Sequence, residues 1–345
     1  MGETSAEKPI RVGAPHRRAA GRVLLVAIPF FLGGALAVQA QLNGALTQRT
    51  GSAVVVTLLS FVVGSVILAF IVAARRQFPS RVERRSWRWK RWWFLSGPLG
   101  AFLIVAISAG VPMLGVALTT VLTVAGQTVT GILLDSRGTA GGSRLRISGT
   151  RISAVVIAIL GLAVTVLAVP PEAGGGLVVL AMIALLVAAG VASSLQQAAN
   201  GAVTGVSGSA VFAALVSFVM GLIILVIASL ALWATGNLAL DNWPSFADEP
   251  LLYLGGLFGT LFVVSSAWVV RKVGVLVLSL AVVAGQIGAA VVLDLLSGAA
   301  TFGLATTVSI VAVLAAVVLA VAPNRRVPAT VNGSPPGSGG PSEGR

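Results

Sequence analysis

The sequence predicts an all-α polytopic membrane protein, with ten transmembrane helices arranged as two inverted five-helix repeats. Three observations carry that prediction. Of 345 residues, 57% are apolar and only 10% charged, with a mean hydropathy of +0.99; a soluble chain carries about 25% charged residues. Apolar windows of bilayer-spanning length, about 20 residues, recur along the whole chain. Two blocks of the first half also return in the second half.

The windows fall at 22–41, 53–74, 92–111, 114–134, 152–169, 177–197, 209–232, 251–270, 273–293 and 302–322. Each is read as a helix, because lipid offers backbone groups no partner outside a helix or a closed barrel. The runs are continuous rather than alternating, which argues against a barrel. Residues 1–21 and 323–345 are expected to be disordered cytoplasmic tails, the second rich in Gly, Pro and Ser. The first repeat is read as 22–169, a Pro/Gly hinge loop as 170–176 and the second repeat as 177–322. Basic residues, an apolar run and Val38-Gln39-Ala40 imitate a cleaved signal peptide. The run is long and its sequel recurs at 196–221, so an uncleaved first helix is expected.

Charge gives the orientation. The formal net charge is +13, from 23 Lys and Arg against 10 Asp and Glu. Twenty-two of the 23 basic residues fall in the two tails and in the loops after the second, fourth and eighth helices, leaving Arg49 alone on the other side. The positive-inside rule then puts both termini in the cytoplasm. Glu172, Asp241, Asp248, Glu249 and Asp294 fall on the opposite face. Trp87, Trp89, Trp92, Trp93, Trp233 and Trp243 sit at helix ends, where interfacial belts are found. The Arg/Trp stretch at 81–93 is read as such an anchor, not as a nucleic-acid surface.

The repeat is specific. Segment 39–64 aligns without gaps on 196–221, with 14 of 26 positions identical, among them Gln39/Gln196, Asn43/Asn200, Ser60/Ser217 and Gly64/Gly221. Segment 95–135 aligns on 254–294 at 13 of 41 positions, including Gly100/Gly259, Gly115/Gly274, Gln127/Gln286 and Asp135/Asp294. Five helices is an odd number, so the second repeat must enter the membrane from the opposite face. Inverted repeats of this kind are an architecture of secondary transporters, which place substrate near the bilayer midplane.

The motifs Q-x3-N-G-A-x-T-x3-G-S-A-x6-S-F-x2-G and A-G-Q-x7-D, each present twice, resemble the drug/metabolite transporter superfamily. The nearest branch is that of bacterial inner-membrane exporters whose five-helix unit is duplicated and fused, and the resemblance covers nearly all of 22–322. It implies a ten-helix inverted-repeat fold in a bacterial inner membrane. The first four helices of each half would surround a central cavity that exports small metabolites or drugs. Small multidrug exporters similar to this superfamily use a carboxylate in the first helix for proton antiport. This chain has Gln39 and Gln41 there and no acid, which departs from that pattern.

The chemistry that remains is mostly neutral. There is no Cys, and the single His, His16, lies before the first helix. No cofactor and no metal are expected, and no Gly-rich loop with Lys points to ATP. Candidate substrate-binding residues are Gln39, Asn43, Gln127, Gln196, Asn200 and Gln286. An unpaired amide facing lipid would cost several kcal/mol, about 2–7 by transfer measurements, so these should point inward. The rival reading makes them helix–helix glue, with Asn43 and Asn200 merely capping helix ends. Thr119, Thr120 and Thr123 either line the site or bond back to their own helix. Asp135 and Asp294 are candidate coupling carboxylates, with solvated helix-end acids as the alternative. The expected partners are a small-molecule substrate and the lipid bilayer, with no nucleic acid; a homodimer stays open. No enzymatic activity is expected. A non-transporting scaffold or sensor, or a lipid-modifying enzyme, are the competing classes.

Overall fold

The computed structural model describes residues 15–77, 91–137, 149–167, 176–238, 243–298 and 304–321. Within helices, the side chains at 15–26, 135–137, 266–280 and a few single positions lie outside this description. Most of the two tails, all of the hinge loop 170–176 but Gly176, Asp241 and most of the Arg/Trp stretch also fall outside it.

The described residues form helices and no strands. The helices are α1 (Pro15–Thr50), α2 (Ala53–Ala74), α3 (Ser96–Arg137), α4 (Gly149–Leu167), α5 (Gly176–Ser207), α6 (Ala210–Ala234), α7 (Gly255–Ser297) and α8 (Leu304–Val321). Short 3-10 turns at Arg91–Leu95 and Pro250–Leu254 lead into α3 and α7. Among the described residues, Ala53–Ala74, Trp92–Leu134, Gly176–Ser207 and Ala210–Ala234 are long and apolar enough to cross a membrane.

Two helices run past the ends the sequence suggests. α1 starts at Pro15, within the stretch expected to be a tail, and continues to Thr50 rather than ending near 41. α5 continues to Ser207 rather than ending near 197. What stops each is a repeated Gly-Ser pair. Gly51 and Gly208 take positive φ, 72° and 68°, and the next serine caps the following helix. Ser52 accepts from Val55 N–H, and Ser209 from Phe212 N–H. Asn43 and Asn200 therefore lie inside helices and do not cap them, which corrects the capping expectation.

Within α3 the chain breaks at Gly115, which takes φ 77° and ψ 170°. That conformation favours glycine, and Pro112 just before it withholds one backbone donor. The expected junction between the third and fourth windows is therefore a sharp helix break.

The two repeats do not pack as separate bodies. α1 lies chiefly along α7, and α3 along α5, so the first helix of each repeat rests on the other repeat. α4 pairs with α8, and α2 with α6. On the α2–α6 pair, Leu68 and Val72 share a cluster with Val211 and Ala214. Val54 and Leu58 share one with Leu222 and Leu225 at the other end. These repeat-equivalent helices therefore run antiparallel. Small residues let the backbones approach, as association inside lipid requires.

Candidate functional site

The site is built on two glycine crossings related by the repeat. On α1 and α7, a side chain at Gly33 would collide with the Val282 carbonyl, and one at Gly285 with the Phe30 carbonyl. On α5 and α3, one at Gly190 would collide with the Thr123 carbonyl, and one at Gly126 with that of Val187. The crossings set Gln286 beside α1 and Gln127 beside α5.

The two glutamines then meet different surroundings. Gln127 Nε2 donates to Ser193 Oγ at 3.1 Å, and the Gln127 carbonyl accepts from Ser194 Oγ at 2.9 Å. Gln197 Nε2 donates to the same Ser193 Oγ at 3.2 Å. The repeat equivalents of Ser193 and Ser194 are Leu36 and Ala37, which offer no hydroxyl. The half-buried Gln286 amide has no hydrogen-bond partner among the described residues.

A second pair of amides lies where α1 meets α7 and α5 meets α3. Gln39 is 7% exposed, and a Cβ at Gly259 would come within 2.8 Å of its Nε2. Like Gln286, it has no hydrogen-bond partner among the described residues. Its equivalent Gln196 rests on Gly100, the equivalent of Gly259, and donates to Ser217 Oγ at 3.3 Å. Asn43 sits against Gly255 and accepts from Ser60 Oγ at 3.1 Å. In the other repeat, Asn200 Oδ1 is buried without a partner among the described residues, as is Oγ of Ser96, the equivalent of Gly255. Gly255 and Gly259, one turn apart on α7, are thus the seats of two amides.

Asp294 departs from the solvated boundary acid considered above. It is 4% exposed, and among the described residues it is the only buried charged one. Its Oδ1 accepts from Val116 N–H and its Oδ2 from Ala117 N–H, each at 2.7 Å. These are free donors at the start of the helix that follows the Gly115 break, where a carboxylate also meets the positive end of the helix dipole. The Asp135 side chain lies outside the described residues. Thr123 Oγ1 donates to the Thr119 carbonyl at 2.7 Å, the back-bonding alternative, whereas Thr119 Oγ1 is buried without a partner among the described residues.

Polar groups near the helix ends pair across the repeats. Arg49 forms an ion pair with Glu249, and Ser209 Oγ donates to Gln77 Oε1 at 3.0 Å. Trp93 is buried against Val203 and Ala213 rather than facing outward. The serines at 60, 193, 194 and 217 were not singled out as site residues from the sequence. For Ser60 and Ser217 the signal was present, since the repeat matches them; Ser193 and Ser194 have no counterpart to mark them.

A sequence model of the family described as "Putative inner membrane exporter, YdcZ" matches residues 24–164 and 181–321. The chain belongs to this YdcZ family. Both copies of the YdcZ unit are present and fused, which accounts for the repeat read from the sequence. A crystal structure is similar in fold, with a TM-score of 0.50 over 87% of this chain and 97% of its own, at 15% identity. That likeness concerns the fold alone. No curated protein matches this YdcZ-family chain.

Proposed function

We propose that the protein exports small metabolites or drugs by alternating access, with Gln39 and Gln286 as its principal substrate contacts. Membership of an inner-membrane exporter family supports the export reading. The observation that carries the site is the contrast between amides. Asn43, Gln127 and Gln196 are engaged by serines, while Gln39 and Gln286 hold unused donors and acceptors deep in the bundle. Buried polar groups are ordinarily satisfied, so the idle amides of Gln39 and Gln286, with the unpartnered Asn200 Oδ1 beside them in kind, suit a transient partner.

The proposed architecture has ten spans, with α3 and α7 each contributing two, and both termini in the cytoplasm. Antiparallel packing of α2 on α6 supports the inversion. The Arg49–Glu249 pair supports the loop assignment, since both residues belong to the face opposite the termini.

The test is ligand-induced thermal stabilisation of the purified protein across amino acids, sugars, nucleosides and cationic drugs. A stabilising compound should lose its effect in Gln39→Ala and Gln286→Ala and keep it in Gln127→Ala. A stabiliser indifferent to Gln39 and Gln286 would place the site elsewhere.

A further inference from the structure

We propose that Ser96 decides which amide the second repeat leaves free, by standing where the first repeat has Gly255. The repeats carry one polar module twice. In each, two amides one turn apart on the first helix, Gln39 and Asn43 or Gln196 and Asn200, share one serine of the second helix, Ser60 or Ser217. The two serines have taken opposite partners. Ser60 Oγ donates to Asn43 Oδ1 at 3.1 Å, and Gln39 has no partner among the described residues. Ser217 Oγ accepts from Gln196 Nε2 at 3.3 Å, and Asn200 Oδ1 is the atom left buried and unpartnered.

A hydroxyl can donate and accept at once, so the chemistry of serine does not force this choice. The space around the amides does. The Asn43 amide fills the hollow over Gly255, where a Cβ would collide with Asn43 Oδ1 and stand 3.3 Å from Ser60 Oγ. Gly255 and Ser96 align in the repeat and are the first residues of α7 and α3, each entered from a 3-10 turn. Ser96 is 1% exposed and supplies the side chain that Gly255 lacks, so the seat that holds Asn43 in the first repeat is filled in the second. Asn200 is thereby kept from Ser217, and the serine takes the glutamine one turn earlier. Gln196 can make that bond because its seat, Gly100, still has no side chain, as Gly259 has none beneath Gln39. Ser96 Oγ is itself buried without a partner among the described residues, so the bulk of the side chain, not a bond from its hydroxyl, is what acts. The other positions of the module, Gln, Asn, Ser and the second Gly, are identical in the two repeats.

The consequence is a site with unlike walls. The first repeat offers a whole glutamine amide, the second an asparagine acceptor. That these free groups meet substrate rests on the export reading; the arrangement itself does not, and unfolding measured without any ligand tests it alone. Double-mutant cycles on the full chain, unfolded in mixed detergent, read it directly. In the native background Ser217→Ala and Gln196→Ala should couple by about threefold in the unfolding equilibrium constant, the average for hydrogen bonds between membrane helices. Ser217→Ala and Asn200→Ala should be additive. In a Ser96→Gly background the two results should exchange, whereas Ser96→Ala keeps the Cβ and should keep the native pattern. The converse change, Gly255→Ala, should move the coupling of Ser60 from Asn43 to Gln39. Ser96→Gly only removes atoms and carries the test if Gly255→Ala does not fold. Ser217 still coupled to Gln196 in the Ser96→Gly background would overturn the proposal. So would an exchange already present in Ser96→Ala, which would assign the choice to the hydroxyl.

Discussion

Phe61 and Phe218, equivalent residues of the two repeats, stack on one another with ring centroids 4.9 Å apart and planes 28° from parallel. Each ring covers a glycine of the opposite helix, Phe61 on Gly221 and Phe218 on Gly64. A residue that touches its own repeat equivalent lies on the axis relating the repeats, so this pair marks the centre of the bundle. Phe61→Ala and Phe218→Ala should each destabilise the protein. A double-mutant cycle by unfolding in mixed detergent should show a coupling of about 0.5–1.5 kcal/mol, the usual worth of an aromatic pair. Strict additivity would mean the rings do not meet.

The glycine crossings should be far less tolerant than glycines elsewhere. Gly33→Ala and Gly190→Ala place a methyl against backbone carbonyls that have nowhere to move, and overpacking of this kind typically costs about 1–3 kcal/mol or more. Nothing lies within 4 Å of a Cβ built at Gly131, so Gly131→Ala should be neutral or stabilising by about 0.5–1 kcal/mol. Thermal denaturation in detergent compares the three directly.

Much of this was legible in the chain itself. The duplication stands out because it preserves Gly, Asn, Gln and Asp, which hydrophobic bias alone does not repeat. Helix ends were harder. The Gly51-Ser52 and Gly208-Ser209 stops lie inside otherwise polar, ambiguous stretches, so α1 and α5 run further than their apolar windows. The burial of Asp294 was not legible at all, because its donors at Val116 and Ala117 lie far away in sequence and only the antiparallel register brings them together. The same holds for Gln127, whose partner Ser193 breaks the repeat and left no pattern to follow.

Gly115→Ala tests the helix break without touching the carboxylate. The substitution forces an L side chain to φ 77° and pushes it against Asp294, and positive-φ strain alone costs about 1–3 kcal/mol. A clear fall in melting temperature is expected. An unchanged melting temperature would show that α3 straightens without penalty.

Gln127 and Gln286 should separate stability from binding. Gln127→Ala removes the bond to Ser193 and should lower stability by about 0.6 kcal/mol, the mean for such bonds between membrane helices. Gln286→Ala removes no described hydrogen bond and should leave unfolding unchanged. Equal losses in both variants would mean that Gln286 also serves as packing.

The most direct test of the inverted architecture is the sidedness of two repeat-equivalent positions, Gln48 and Gly205. Both are exposed near the ends of α1 and α5, and a Cβ at Gly205 meets nothing within 4 Å. In the Cys-free chain, Gln48→Cys should react with an impermeant maleimide from outside the cell and Gly205→Cys only in inside-out vesicles. Labelling of both positions from the same face would contradict the inverted repeat, and with it the proposed alternating access.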